Sequence, residues 1–155
     1  MRSYSLLGLV AVSGLVLDQA TKWAVFNYLK TTERIELTPF LSLVLSRNEG
    51  GIFGLVKGVN ILFILLSLFA MAILLWVYSH SDKTRLSTNI ALGSIFAGAA
   101  GNLLDRITYH YVRDFIDLHL ETRHWPTFNL ADVLICLGVG LMALNTLTPG
   151  TLRPR

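Results

Sequence analysis

The chain has 155 residues, 53% of them hydrophobic and only 15% charged, with a formal net charge of +3. A soluble domain carries about a quarter charged residues, whereas here no charge falls in 3–17, 58–81, 86–104 or 133–152, stretches of 15, 24, 19 and 20 residues. A bilayer core about 30 Å thick takes roughly 20 apolar residues as helix, so the pattern describes a four-span, all-α polytopic membrane protein and excludes a soluble enzyme, a disordered chain and, for want of a Lys/Arg stripe, a nucleic-acid module.

In chain order, Arg2 and the apolar run after it resemble a secretory signal peptide, but no small-x-small cleavage site follows. The run passes instead into Leu17-Asp18-Gln19-Ala20-Thr21-Lys22, which reads as the polar end of a first span over about 4–22. The connection 23–57 alternates polar and apolar residues around Arg34–Thr38 and at Leu41, Leu43 and Leu45. Period-two alternation predicts short strands, Pro39 confines one of them to an edge or a turn, and Asn48-Glu49-Gly50-Gly51 reads as a turn. A small β-sheet in this first connection, lying on the membrane surface, is therefore expected.

The second span, about 59–79, is almost uniformly Leu, Ile and Phe and reads as lipid-facing. The third, about 87–105, repeats Gly93, Ala97 and Gly101, and also Ser94 and Gly98, every four residues. Small residues at that spacing let helices approach closely and place the span at the bundle centre. A polar connection covers 106–126, and Pro126 precedes a fourth span, about 127–147. Residues 148–155 read as a frayed tail. The one cysteine, Cys136, lies inside the fourth span and reads as a small packing residue. The whole chain, 1–155, is expected to form one transmembrane domain.

Four spans put both termini and the 80–85 loop on one side and the two long connections on the other. Asp18, Asn48, Asp105, Asp114, Asp117 and Asp132 all fall on that second side. It also carries eight Lys/Arg against five on the termini side, so the positive-inside count points against cytoplasmic termini while net charge points the other way.

Carboxylates inside or beside spans are expensive and commonly functional. Asp18 and Lys22, spaced i, i+4, read as a helix-surface ion pair. Asp105, near a helix C-terminus where the dipole disfavours it, is expected to be compensated by Arg106. Asn129 and Asp132 lie in the first turns of the fourth span, where the helix N-terminus favours negative charge, which makes Asp132 the leading catalytic candidate. Two carboxylates held close share a proton, one acting as base toward water while the other polarises a carbonyl. Spacing leaves the partner open among Asp105, Asp114 and Asp117. A metal-dependent membrane hydrolase built on His110, Asp114, Asp117 and His119 is the competing chemistry. A proton-coupled transporter is a third reading, opposed by the termini side, where Asp82 is the only acid, and by span interiors with no ionisable residue to continue a relay.

Five strings occur together in order: Asp18-Gln19-Ala20-Thr21-Lys22, Asn48-Glu49-Gly50-Gly51-Ile52-Phe53-Gly54, Gly101-Asn102-Leu103-Leu104-Asp105-Arg106, Val112-Arg113-Asp114-Phe115-Ile116-Asp117 and Phe128-Asn129-Leu130-Ala131-Asp132. With the four-span frame they resemble bacterial lipoprotein signal peptidase (signal peptidase II). The resemblance implies an intramembrane aspartyl endopeptidase that cuts prolipoproteins before a diacylglyceryl-modified cysteine, with Asp114 and Asp132 as the catalytic pair. It gives supporting or substrate-binding roles to Asp18, Lys22, Asn48, Asn102, Asp105, Arg106 and Asn129. It further implies a monomer in the bacterial plasma (inner) membrane, no cofactor, prolipoprotein and membrane lipid as partners, cytoplasmic termini and a site near the outer leaflet. The chain departs from the family at Glu49-Gly50-Gly51-Ile52, where many members carry a neutral residue and then Gly-Ala-Ala.

Overall fold

The computed structural model describes residues 2–30, 32, 34–50 and 59–147. The elements in order are α1 (Arg2–Tyr28), β1 (Arg34–Thr38), β2 (Leu41–Asn48), α2 (Val59–His80), α3 (Leu86–Tyr109), β3 (Val112–Leu120), β4 (Arg123–His124) and α4 (Leu130–Leu147). The second half of the Asn48–Gly54 string, the end of the first connection and the expected tail at 148–155 lie outside the described residues.

Each of the four uncharged runs contributes a helix among the described residues. By length and composition three helices among the described residues, α1, α2 and α4, are able to cross a membrane. At 24 residues, α3 is longer than α2 and α4, but small residues and Asn89, Asn102, Asp105 and Arg106 make it less apolar. The sequence expectation of four spans thus has three by this measure. The first helix also runs six residues past its expected end, because Lys22 turns into the bundle rather than marking a water-exposed terminus.

As the small-residue stripe predicts, α3 is the central helix and packs on α1, α2 and α4. Its Ala91, Gly93, Ala97, Gly98 and Gly101 are buried. The approach is closest at Gly98, where an added Cβ would run into the carbonyl oxygen of Ala131 and lie 2.7 Å from Ile135. Overpacking of this kind costs about 1–3 kcal/mol. Gly98→Ala is expected to lower the thermal midpoint in detergent, whereas Gly140→Ala, whose Cβ meets nothing within 4 Å, leaves it unchanged. An equal response from the two variants would contradict this packing. The second helix carries a row of exposed Ile, Leu, Phe and Trp side chains, as its lipid-facing sequence predicts.

The sheet differs from expectation. It is a four-stranded antiparallel sheet in the order β1-β2-β3-β4, and half of its strands come from the second connection rather than the first. β1 and β2 form a hairpin around Pro39-Phe40, with β1 at the edge, as Pro39 predicts. β3 is hidden in the sequence because both of its faces are buried and both carry polar residues: Arg113, Asp114 and Asp117 are all buried. A strand buried on both faces, with charges on each, does not show the alternation that marks a half-buried strand. The segment before α4 then joins this sheet, with Phe115 and Ile116 N–H donating to the Phe128 carbonyl at 3.0 and 2.8 Å and Phe128 N–H donating back to Ile116 at 3.1 Å. That pairing lays the start of α4 against β3.

Candidate active site

Asp114 projects from β3 and is 1% exposed. Its Oδ1 accepts a hydrogen bond from Asn129 Nδ2 at 2.6 Å, and its Oδ2 accepts one from Asn48 Nδ2 at 3.0 Å. Asp132 stands in the first turn of α4. Its Oδ1 accepts from Asn102 Nδ2 at 2.8 Å and its Oδ2 from the backbone N–H of Asn129 at 3.1 Å. Asn129 Oδ1 accepts in return from Asp132 N–H at 3.2 Å, so the two residues form a reciprocal helix cap. Asn129 thus does two jobs. Its carbonyl oxygen closes the cap, and its amide reaches Asp114 and, at 3.1 Å, Asn102 Oδ1. The two aspartates thus share one partner, Asn129, which bonds Asp114 through its side-chain amide and Asp132 through its backbone N–H.

Burial pushes the Asp114 carboxyl up to about 6, aided by the nearby charge of Asp132 and opposed by the two asparagine hydrogen bonds. A carboxyl in that range exchanges its proton near neutrality, as a general acid–base group must.

Beneath the pair lies a buried ionic network. Lys22 Nζ, fully buried, donates to Asp18 Oδ2 at 2.8 Å and to Asn102 Oδ1 at 3.0 Å and sits 3.5 Å from Asp105 Oδ2. The pair expected on the helix surface is therefore an interior one. Asp18 Oδ1 accepts from the N–H of Ala131 at 2.9 Å, so α1 supplies a cap for the free amides at the start of α4. Gly101 makes room for this, since any Cβ there would collide with Asp18 Oδ2.

Asp105 is compensated by Arg113, not by Arg106 as its chain neighbour predicted. Its Oδ1 takes a bond of 2.7 Å from the Arg113 guanidinium and its Oδ2 takes the Arg113 backbone N–H at 2.9 Å. A side chain one position further round the helix points away, and Arg106 instead lies over the Phe63 ring at 5.2 Å, within reach of the Asp114 and Asp132 charges. Gln19, absent from the predicted site residues, joins the network by donating to Asp18, Asp105 and the Gly101 carbonyl while accepting from Arg113 at 2.8 Å. The signal available for both was position alone, each being flanked by a residue of the site.

Asp117 is not part of this arrangement. It points to the other face of β3, 3.0 Å from Arg34 and 2.9 Å from His124, and these partners outweigh its desolvation and hold its carboxyl below the usual range. The proposed metal set of His110, Asp114, Asp117 and His119 is split across the sheet, and among the described residues no group of three such side chains is placed to hold an ion. Cys136 is exposed rather than packed. It lines an apolar groove of about 380 Å³ with Trp125, Phe128, Val133 and Leu137, and Asp132 forms part of its wall.

Residues 10–148 match the sequence profile described as Signal peptidase (SPase) II. The chain belongs to the signal peptidase II family. Lipoprotein signal peptidases of Geobacter metallireducens (38% identity over 92% of this chain and 91% of the relative) and Thermodesulfovibrio yellowstonii (38% over 86% and 88%) are similar to it. So is that of Coxiella burnetii, at 34% over 90% and 88%. Two bacterial membrane enzymes solved by the in meso method share its fold, one at 29% identity and TM-score 0.81 covering 96% of this chain and 92% of its own, the other at 30% and 0.83 covering 93% and 94%. The signal peptidase II assignment agrees with apolar helices that enter a membrane and with peptidase chemistry; neither the metal-dependent hydrolase nor the transporter reading finds support.

Proposed function

We propose that this signal peptidase II removes signal peptides from diacylglyceryl-modified prolipoproteins with Asp114 and Asp132 as its catalytic pair. One observation carries the reading: two carboxylates from different elements, β3 and α4, bound to the same asparagine beside an apolar groove. Asp132, in the first turn of α4, sits where the helix dipole favours negative charge and serves as the base; Asp114 carries the proton.

Water between them gives its proton to Asp132 as its oxygen attacks the scissile carbonyl carbon, while Asp114 protonates the carbonyl oxygen. The tetrahedral diol then collapses: its hydroxyl proton returns to Asp114, the C–N bond breaks, and Asp132 hands its proton to the departing amine. Both aspartates end as they began. Asn48, Asn102 and Asn129 hold the carboxylates in place, with Arg106 near enough to steady their charge, and Asp18, Lys22 and Asp105 anchor those asparagines and the start of α4. The groove beside Asp132 suits an apolar stretch of the substrate.

In this reading α3 is the fourth crossing. Its 24 residues reach about 36 Å, and its polar groups face other helices rather than lipid. The chain is then a single four-span domain in the bacterial inner membrane, monomeric, with cytoplasmic termini and the sheet and dyad at the outer leaflet. The direct test is cleavage of a diacylglyceryl-modified prolipoprotein by the detergent-purified chain in excess EDTA. Processing at the residue before the lipidated cysteine is expected; processing that requires omission of the chelator would return the metal-dependent hydrolase.

A further inference from the structure

A second polar cavity, of about 300 Å³, lies where the end of α1 meets the last turn of α3 and the start of β3. Its α1 wall is Trp23, Phe26 and Asn27, with Lys30 just beyond the helix, and Tyr109 and Tyr111 stand opposite. Positions 23, 26, 27 and 30 recur at helical spacing, so they share one face. The same face continues down α1 as the exposed stripe Leu9, Val12, Val16 and Trp23.

The cavity is rich in unused donors. Among the described residues the amide of Asn27 and the hydroxyls of Tyr109 and Tyr111 make no hydrogen bond, and neither Lys30 nor Arg47 has a carboxylate partner. Arg47 lies over the Tyr111 ring at 5.2 Å and Arg113 over the Tyr109 ring at 4.4 Å. Among the described residues no carboxylate lines the cavity. The charge of Arg113 is met by Asp105, which leaves Lys30 and Arg47, among the described residues, as cations without a carboxylate partner beside three neutral donors.

We infer that this cavity is a binding site for the phosphodiester of an anionic phospholipid. An ammonium, an amide and two phenols suit the oxygens of a phosphate. Exposed Trp23 and Tyr28 are the residue types that gather at the membrane–water boundary, and basic pockets between membrane helices take anionic headgroups. The apolar stripe below the cavity accommodates the acyl chains, which a soluble phosphate lacks. The site shares no residue with the aspartate pair and needs only that α1 and α3 stand in a bilayer.

The test is competition for the purified chain between phosphatidylglycerol and phosphatidylcholine in equal amounts, read as lipid retained in intact-complex mass spectrometry. One bound phosphatidylglycerol is expected. Lys30→Gln, a change in an exposed turn, is expected to lower its retention about fivefold, the 1 kcal/mol that a basic residue contributes at an anionic surface. Arg47→Gln acts in the same direction, and neither variant alters prolipoprotein cleavage in neutral detergent. Equal retention of the two lipids, or unchanged retention in both variants, would overturn the site. Displacement of the lipid by glycerol 3-phosphate at matched concentration would assign the cavity to a soluble anion and overturn the lipid.

Discussion

Asp114→Asn and Asp132→Asn each lower prolipoprotein cleavage by roughly 10²–10⁴-fold, the range lost when a general acid or base is removed. Helix content is unchanged, since Asn keeps the shape of the side chain. Asp117→Asn stays close to the parent, because Asp117 is bound to Arg34 and His124 on the opposite face of β3. A gel-based cleavage assay on the three variants decides the matter, and a deep loss in Asp117→Asn with activity surviving in Asp114→Asn would exchange their roles.

The pH dependence follows from the same carboxyl. Asp114 is raised from 3.8 to about 6, first by burial and then by the neighbouring Asp132 charge. Turnover needs one proton on the pair, so the rate falls as pH rises through about 6, with an apparent value that belongs to the pair. Because the folded-state value lies above the ordinary one, the stabilisation from protonating Asp114 is fully present below 3.8 and is lost as pH rises through about 6. Asp114→Asn should flatten that dependence of the melting temperature; a profile identical to the parent's would show that another group titrates.

The second large effect is structural. Lys22→Met removes the cation from between Asp18 and Asp105, all three fully buried, and is expected to cost about 3–5 kcal/mol, as breaking a buried pair does. Adding Asp18→Asn removes the stranded charge while keeping an oxygen for the Ala131 N–H. The double variant is therefore more stable than the sum of the single effects predicts. Cleavage falls as well, because Lys22 holds Asn102 and Asn102 holds Asp132. Denaturant unfolding in detergent measures both terms, and a loss under about 1 kcal/mol, the range of a surface pair, would refute the interior role.

The helices and their order were legible because hydrocarbon admits almost no charge, so runs without Asp, Glu, Lys or Arg mark them directly. The central place of α3 was legible for a similar reason, since a four-residue repeat of small side chains has few uses other than close helix contact. Asp132 stood out from its position at a helix start. Asp114, the partner proposed for it, did not, because setting it apart from Asp105 on α3 and Asp117 depends on which face of β3 each of the two strand acids takes and on the pairing of Phe128 with Ile116. Those contacts join residues far apart in the chain or alternate within a strand whose polar interior conceals its period. Chain proximity misled at Asp105, where the adjacent Arg106 turns away and Arg113 arrives from the strand. The sequence alone determined which residues avoid lipid and which are costly to bury. Only the tertiary structure decided how those costly groups offset one another, because hydrogen bonds and ion pairs act over about 3 Å while the residues that form them here lie as many as 113 positions apart.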